Sequence, residues 1–540
     1  MRKTTILTLM IAAALIIGEF SLSTQLRPKE YRASATTPVV YVYVNEAICS
    51  NVSSSLTQYK DDLTAEGYNV TIVNSTESST ASGIRENLRN DANAVGVLFV
   101  GHNPVVWCDP NNYYGITFSS DYYFMDLDGN WSDWDQDGMF DHHSNGTGDM
   151  QPEIWCGRIH GWDANEVSMI NNYFTKVHNL RTGKIVLPQI ALRYVDDPWS
   201  KQEDTIHYLS EVAGEYYSVT EIYDNATTKK SDYTTRLNYG YELVAPLVHS
   251  TPGSHTFWIP DPDHPTNSKW ETVSFTGEDY LSTNTKCLFL DLQACYGSCH
   301  VLSSGTDAPY CLAESFIFAQ NYGVLAIGST TLWDWLGLED FYDSWLSAGK
   351  SVGDAFKDWA TNYADTQTCL GCACWFMTIT GDPTLKKPRI TFSESGADNS
   401  TQRGDIYVDN LLYAYTNSTR GIWSGNHTVK TNNFWRTNST TNNTGYRCTF
   451  SHWEDNSTSL SRNITVLGEA SYTAYFTQKY CAGDVNGDNV VDIYDAILIS
   501  NALGASRGGS KWDSRCDLFH NQVIDIYDSQ LVGNNYGKTY

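Results

Sequence analysis

The segment Lys286-Cys-Leu-Phe-Leu-Asp-Leu292 reads as a buried strand, and Gln293-Ala294-Cys295-Tyr296-Gly297 follows it directly. A cysteine on the turn after a strand is held at the carboxyl edge of a sheet. There a helix N-terminus and backbone N–H groups favour the thiolate and can stabilise an oxyanion. Cys295 is therefore the candidate nucleophile; the competing expectation for it is a disulfide, with Cys299 the nearest partner. A second strand, from Leu237, ends in His249-Ser250, and another histidine, His255, lies in Pro252-Gly253-Ser254-His255-Thr256-Phe257-Trp258. An imidazole beside a thiol supplies a general base and then a general acid, and a carboxylate fixes its tautomer.

A second chemistry is written in oxygen. At the C-terminus, Asp484, Asn486, Asp488, the Val490 carbonyl, Asp492 and Asp495 fall at positions 1, 3, 5, 7, 9 and 12 of one loop. That alternation suits Ca²⁺, which takes six to eight oxygens, and Asp495 is expected to open a helix over 496–503. The motif Val491-Asp-Ile-Tyr-Asp495 recurs as Ile524-Asp-Ile-Tyr-Asp528, an offset of 33 residues, so two related units are present. The second loop keeps Asp517, Asn521, Val523, Asp525 and Asp528 but has Phe519 at position 3, which predicts weaker binding or none. A third acidic run, Asp133, Asp135, Asp137, the Met139 carbonyl and Asp141, lies just after Asp126 and Asp128. Such crowded carboxylates repel unless a cation neutralises them, and a structural Ca²⁺ site is expected here.

These residues need a frame. Short apolar runs at 39–44, 94–100, 288–292 and 324–327 alternate with helical segments at 53–66 and 166–180. Strands spaced by helices imply an α/β fold with a mostly parallel sheet, ligands collecting at the carboxyl ends of its strands. The expected domains are a leader (1–35), a main α/β domain (38–395), a β module (400–478) and the duplicated calcium module (480–540). The β module is rich in Asn, Thr, Ser and aromatics and alternates as in Tyr472-Thr-Ala-Tyr-Phe476; a spacer or adhesion role is expected of it.

The compartment follows from the N-terminus. Arg2 and Lys3 precede an apolar run from Ile6 to Ile17, a secretory signal too short to span a bilayer comfortably. No clear cleavage site adjoins it, which leaves an uncleaved anchor open as the alternative. Sequons such as Asn51, Asn69, Asn130, Asn225, Asn417, Asn438 and Asn463 fit a glycosylated surface. A net charge of −27 argues against nucleic acid or anionic membrane as partner. Thirteen cysteines in an exported chain suggest disulfides, Cys481–Cys516 being one expected pair. For Cys369, Cys372 and Cys374 disulfides are preferred to a zinc knuckle, which lacks a fourth ligand.

Gln293-Ala-Cys295-x-Gly297 is close to the caspase signature, and a histidine about 50 residues upstream matches the caspase-like order. With Pro152-Glu153-Ile-Trp-Cys-Gly157-Arg158-Ile159, Cys311-Leu-Ala-Glu-Ser-Phe-Ile-Phe318, Gly323-Val-Leu-Ala-Ile-Gly-Ser-Thr330 and Gly381-Asp-Pro-Thr-Leu385, residues 40–390 resemble the gingipain family of cysteine peptidases. The resemblance implies a caspase/gingipain-like α/β domain, peptide substrates and a Cys295–imidazole dyad, with Glu153 orienting the ring. Family members carry His-Gly where this chain has His249-Ser250. An ungapped match from Asn238 gives the role to His249, the preferred reading, and a short insertion gives it to His255. The altered motif leaves an inactive surface protein or adhesin as the alternative function. The last 60 residues are similar to archaeal dockerins, which implies a cohesin-like partner at the cell surface or outside it.

Overall fold

The computed structural model describes residues 37–110, 116–196, 199–202, 206–210, 212, 214–224, 227–260, 270–283, 285–332, 337–364, 373–396, 403–437 and 444–540. The apolar leader, Cys369 and Cys372 lie outside them. Ten strands form one sheet: β1 Val39–Asn45, β2 Asn69–Ser75, β3 Ala94–Val100, β4 Trp155–Ile159, β5 Ile190–Val195, β6 Ser218–Ile222, β7 Tyr241–Leu247, β8 Cys287–Leu292, β9 Leu325–Ser329 and β10 Met377–Gly381. Their order is β6-β5-β7-β8-β9-β10-β4-β3-β1-β2.

All neighbours are parallel except β9 and β10, which pair antiparallel through Leu325–Gly381 to Ser329–Met377. The sheet is thus two parallel halves running in opposite directions. Every residue of β4, β7, β8, β9 and β10 is buried, the pattern of strands covered on both faces. That is why they read as continuous apolar runs and not as alternations.

Helix α1, Glu46–Ala65, begins seven residues before the sequence pattern predicts, because the Asn45 side chain accepts the Ala47 N–H and caps it. It buries Ile48, Val52, Leu56, Tyr59 and Leu63, a stripe of i+3 and i+4 steps. Helix α2, Glu166–Arg181, packs beside α1, and its Lys176 donates to the carbonyls of Ile317, Ala319, Tyr322 and Gly323. Burial of that ammonium pushes its pKa well below the ordinary lysine value.

The β module is a sandwich of a five-stranded and a four-stranded sheet. Its first strand is Arg389–Ser395, which pairs in parallel with Ala470–Tyr480, so the boundary expected near 395–400 moves back to about 389. Side chains join it to both neighbours. Trp423 enters the main core, 5.8 Å from Trp345, and its Nε1 donates to Glu242, which also pairs with buried Lys387. On the other side, Trp435 packs in the C-terminal core and donates to the Arg515 carbonyl, and Arg507 pairs with Asp405.

The C-terminal module carries two helices, α3 Ile493–Ala502 and α4 Ile526–Asn535. Helix α3 starts three residues earlier than the 496–503 expected: Asp492 is its N-cap, as Asp525 is that of α4, and Asp495 and Asp528 close capping boxes from inside the first turn. Cys481 and Cys516 do not form the expected bridge. They are separate thiols in the module's apolar core, where burial raises them to about 11 and about 12; each packs there as a small hydrophobe.

Candidate active site

Strands β7 and β8 are neighbours, and their pairing runs on past the regular ladder to a bridge between Leu247 and Gln293. His249 and Cys295 each stand two residues beyond that bridge. Carried past the bridge, the same register puts both at the carboxyl edge, on neighbouring positions of the strand order. The chain then turns sharply: Tyr296 has φ +59° and its N–H donates to the Thr331 carbonyl at 2.6 Å. A left-handed tyrosine costs on the order of 1–3 kcal/mol and persists only where the surroundings hold it. Cys295 is half-buried, and Cys299 is a separate buried thiol that donates to the Val301 carbonyl.

The two histidines are sharply different. His249 opens a hairpin strand, His249–Thr251, facing Ser254–Pro260. It is half-buried between the rings of Trp199 (4.5 Å) and Trp258 (5.1 Å), and burial lowers its pKa. His255 is fully buried, with Nδ1 2.7 Å from the Ser250 hydroxyl and Nε2 3.0 Å from the Tyr280 hydroxyl. Burial lowers it to about 3. Both nitrogens are thus occupied inside the core.

Glu153 precedes β4, whose amino end shares the sheet edge with the carboxyl ends of β7 and β8. It is nevertheless three strands from β8. Its carboxylate accepts the Leu127 N–H at 2.7 Å and gathers with Asp126 and Asp128. Burial, with the charges of those aspartates, pushes it up to about 7 against the Leu127 hydrogen bond. The expected pairing of Glu153 with the dyad imidazole is thus not what the geometry gives. The groups packed on His249 are Trp199 and Trp258, and buried Asp196 anchors the latter by accepting its backbone N–H at 2.8 Å. Sequence reasoning missed all three, although Asp196 directly follows a buried strand, the same signal that marked Cys295.

The oxygen-rich loops share one wiring. Asp484 accepts the N–H groups of Gly487 and Asn489, Asn486 that of Asp488, and Asp488 that of Val490, while Asp495 closes back on Asn486 and Asp492. Asp133 likewise takes Gln136 and Gly138, Asp135 takes Asp137, Asp137 takes Met139, and Asp141 closes on Trp134. The Met139 carbonyl adjoins that turn. In the second repeat Asp517 takes Asn521 and Gln522, Asn521 takes Val523, and Asp528 takes Leu518, Phe519 and Asp525. Asp484, Asp495, Asp517 and Asp528 are all at most 2% exposed, and burial pushes Asp517 up to about 6. Buried carboxylates converging on a tight turn suit a hard cation.

A family model described as peptidase family C25 matches residues 34–388. The chain belongs to that family. This C25 chain is a cysteine peptidase. Among solved structures it is similar to the Arg-specific cysteine proteinase gingipain R (RgpB), at 14% identity over 73% of this chain and 95% of that one, TM-score 0.47. It is also similar to the complex of Porphyromonas gingivalis RgpB pro- and mature domains, at 13% identity over 81% and 99%, TM-score 0.46. A type II cohesin–X-dockerin complex from Acetivibrio cellulolyticus matches 28% of the C25 chain and 97% of its own, at 17% identity and TM-score 0.13. No curated protein matches significantly. Among the described residues, no helix is long and apolar enough to cross a membrane.

Proposed function

We propose that the chain is an exported endopeptidase that cleaves peptide bonds through a Cys295–His249 dyad. The observation that carries this reading is the register: Leu247 bridges Gln293, and the thiol and imidazole follow at the same step. His249 takes the Cys295 proton, the thiolate adds to the scissile carbonyl, and the imidazolium returns the proton to the departing amine. Water, deprotonated by the same ring, then hydrolyses the thioester. Trp199 and Trp258 hold the ring between them, and Asp196 positions Trp258.

Ca²⁺ at the loops headed by Asp484 and Asp133 would stiffen the surface, with the Phe519 loop the weakest. The paired helices α3 and α4 expose Ile493, Tyr494, Ile497, Ile526 and Tyr527. An exposed apolar set of this kind marks an interaction site and supports docking to a cohesin-like partner. The decisive experiment is a peptide-library digest with alkylation by an iodoacetamide-type probe, comparing wild type with Cys295→Ala, His249→Ala and His255→Ala. Cleavage that survives loss of Cys295, or a Cys295 found oxidised in the active preparation, overturns the reading.

A further inference from the structure

The opposite edge of the sheet holds a cluster that the peptidase chemistry does not use. His102 follows β3 and His160 follows β4, and both rings meet Asp307, on the segment after Cys295. His102 Nε2 is 2.9 Å from Asp307 Oδ2, and His160 Nε2 is 3.4 Å from Asp307 Oδ1. The outer nitrogens face other carboxylates: His102 Nδ1 lies 3.2 Å from Glu166, and His160 Nδ1 lies 3.0 Å from Glu314. With an ion bound, each of these carboxylates would hold the Nδ1 proton and leave Nε2 as the coordinating atom of its ring.

Two further facts point to a ligand. His160 is 4% exposed, and its Nε2, aimed into the cluster, has only the long 3.4 Å approach to Asp307; the buried Glu314 Oε2 has no hydrogen-bond partner. The spacing also fits. Tetrahedral Zn²⁺ with bonds of about 2.0–2.1 Å places its ligand atoms about 3.3 Å apart, close to the distances seen. Side-chain exposures of 45% for His102 and 34% for Asp307 leave one side open to solvent.

We infer that His102, His160 and Asp307 form a zinc-type site, with Glu166 and Glu314 as its supporting carboxylates and water in the fourth position. The set of two imidazoles and one carboxylate selects a borderline transition ion over Ca²⁺. The ion would tie the segment that begins at the nucleophile to the ends of β3 and β4.

The test uses the full chain in a Cys295→Ala background, so that the thiol offers no competing ligand, with Ca²⁺ in excess. After chelation and dialysis, calorimetric titration with Zn²⁺ should show a tight equivalent that is lost in His102→Ala and Asp307→Ala. Glu314→Gln should weaken it about 10–100-fold. Co²⁺ loaded in place of zinc should give a d–d spectrum without a sulfur charge-transfer band. An equivalent that persists in both His102→Ala and Asp307→Ala, a sulfur band, or no binding by the parent protein overturns the proposal. His102 and Asp307 are partly exposed, so their variants should fold; unchanged circular dichroism and melting of the metal-free forms check this.

Discussion

The two halves of the ten-stranded sheet run in opposite directions and end in different sets of side chains. In the half built from β5 to β9, the carboxyl ends carry His249 and Cys295. In the half built from β1 to β4 and β10, they carry His102 and His160. Chemistry collects at the carboxyl ends of parallel strands, and one antiparallel joint between β9 and β10 gives this chain two such edges. Segment 296–311 connects them, starting beside the thiol and reaching the second edge at Asp307. The lesson concerns exposure as much as position: one edge offers a half-buried thiol and imidazole, the other buries His160 against carboxylates.

The largest expected effect isolates the first edge. Cys295→Ala should lower kcat/KM at least about 10³-fold with the thermal midpoint nearly unchanged; peptide hydrolysis and calorimetry check both. Next, His249→Gln should cost about 10²–10⁴-fold in kcat/KM, whereas His255→Gln should mainly cost stability, about 1–3 kcal/mol from disturbed buried hydrogen bonds. Measured per folded molecule, His255→Gln should keep the acid limb of the wild-type pH–rate profile.

The same contrast gives a pH signature. His255 is held neutral down to about 3 when folded but takes a proton near 6.5 when unfolded. The unfolded state therefore binds more protons below that value, so its contribution to stability is full above about 6.5 and is lost as pH falls towards 3. The loss is at most about 1.4 kcal/mol per pH unit, and denaturation series should show it flattened in His255→Gln. The smallest effect belongs to Glu153. Glu153→Gln should change kcat/KM by less than about 10-fold, because the carboxylate lies three strands from the thiol; a loss as large as that of His249→Gln would restore it to the dyad.

Much of this was legible in the residues. β1, β3, β8 and β9 read as apolar runs because both faces are covered, and Cys295 was visible because a strand ended just before it. The antiparallel joint was not legible, since β10 is an apolar run like its neighbours and direction leaves no mark on composition. His249 and His255 could not be separated by spacing alone; a hairpin turns one to the edge and the other into the core. Glu153 looked like a dyad partner because it stands beside a family motif, but side-chain partners across three strands are set by topology. The His102, His160 and Asp307 cluster is spread over 205 residues of chain, beyond any local motif. The helix start at Ile493 is hidden in the sequence because Asp492 and Asp495, which suit a ligand role, also cap the first turn.

Trp423 gives the molecule a mechanical consequence. Its ring closes the main core from the β sandwich, while Trp435 and Arg507 fasten that sandwich to the C-terminal helices. The side chains that close the main core therefore extend past residue 388, where the family match ends. A chain cut there would leave Trp345, Glu242 and Lys387 facing water. Force applied at the C-terminal helices would reach the peptidase core through two tryptophans instead of dissipating in a slack tether.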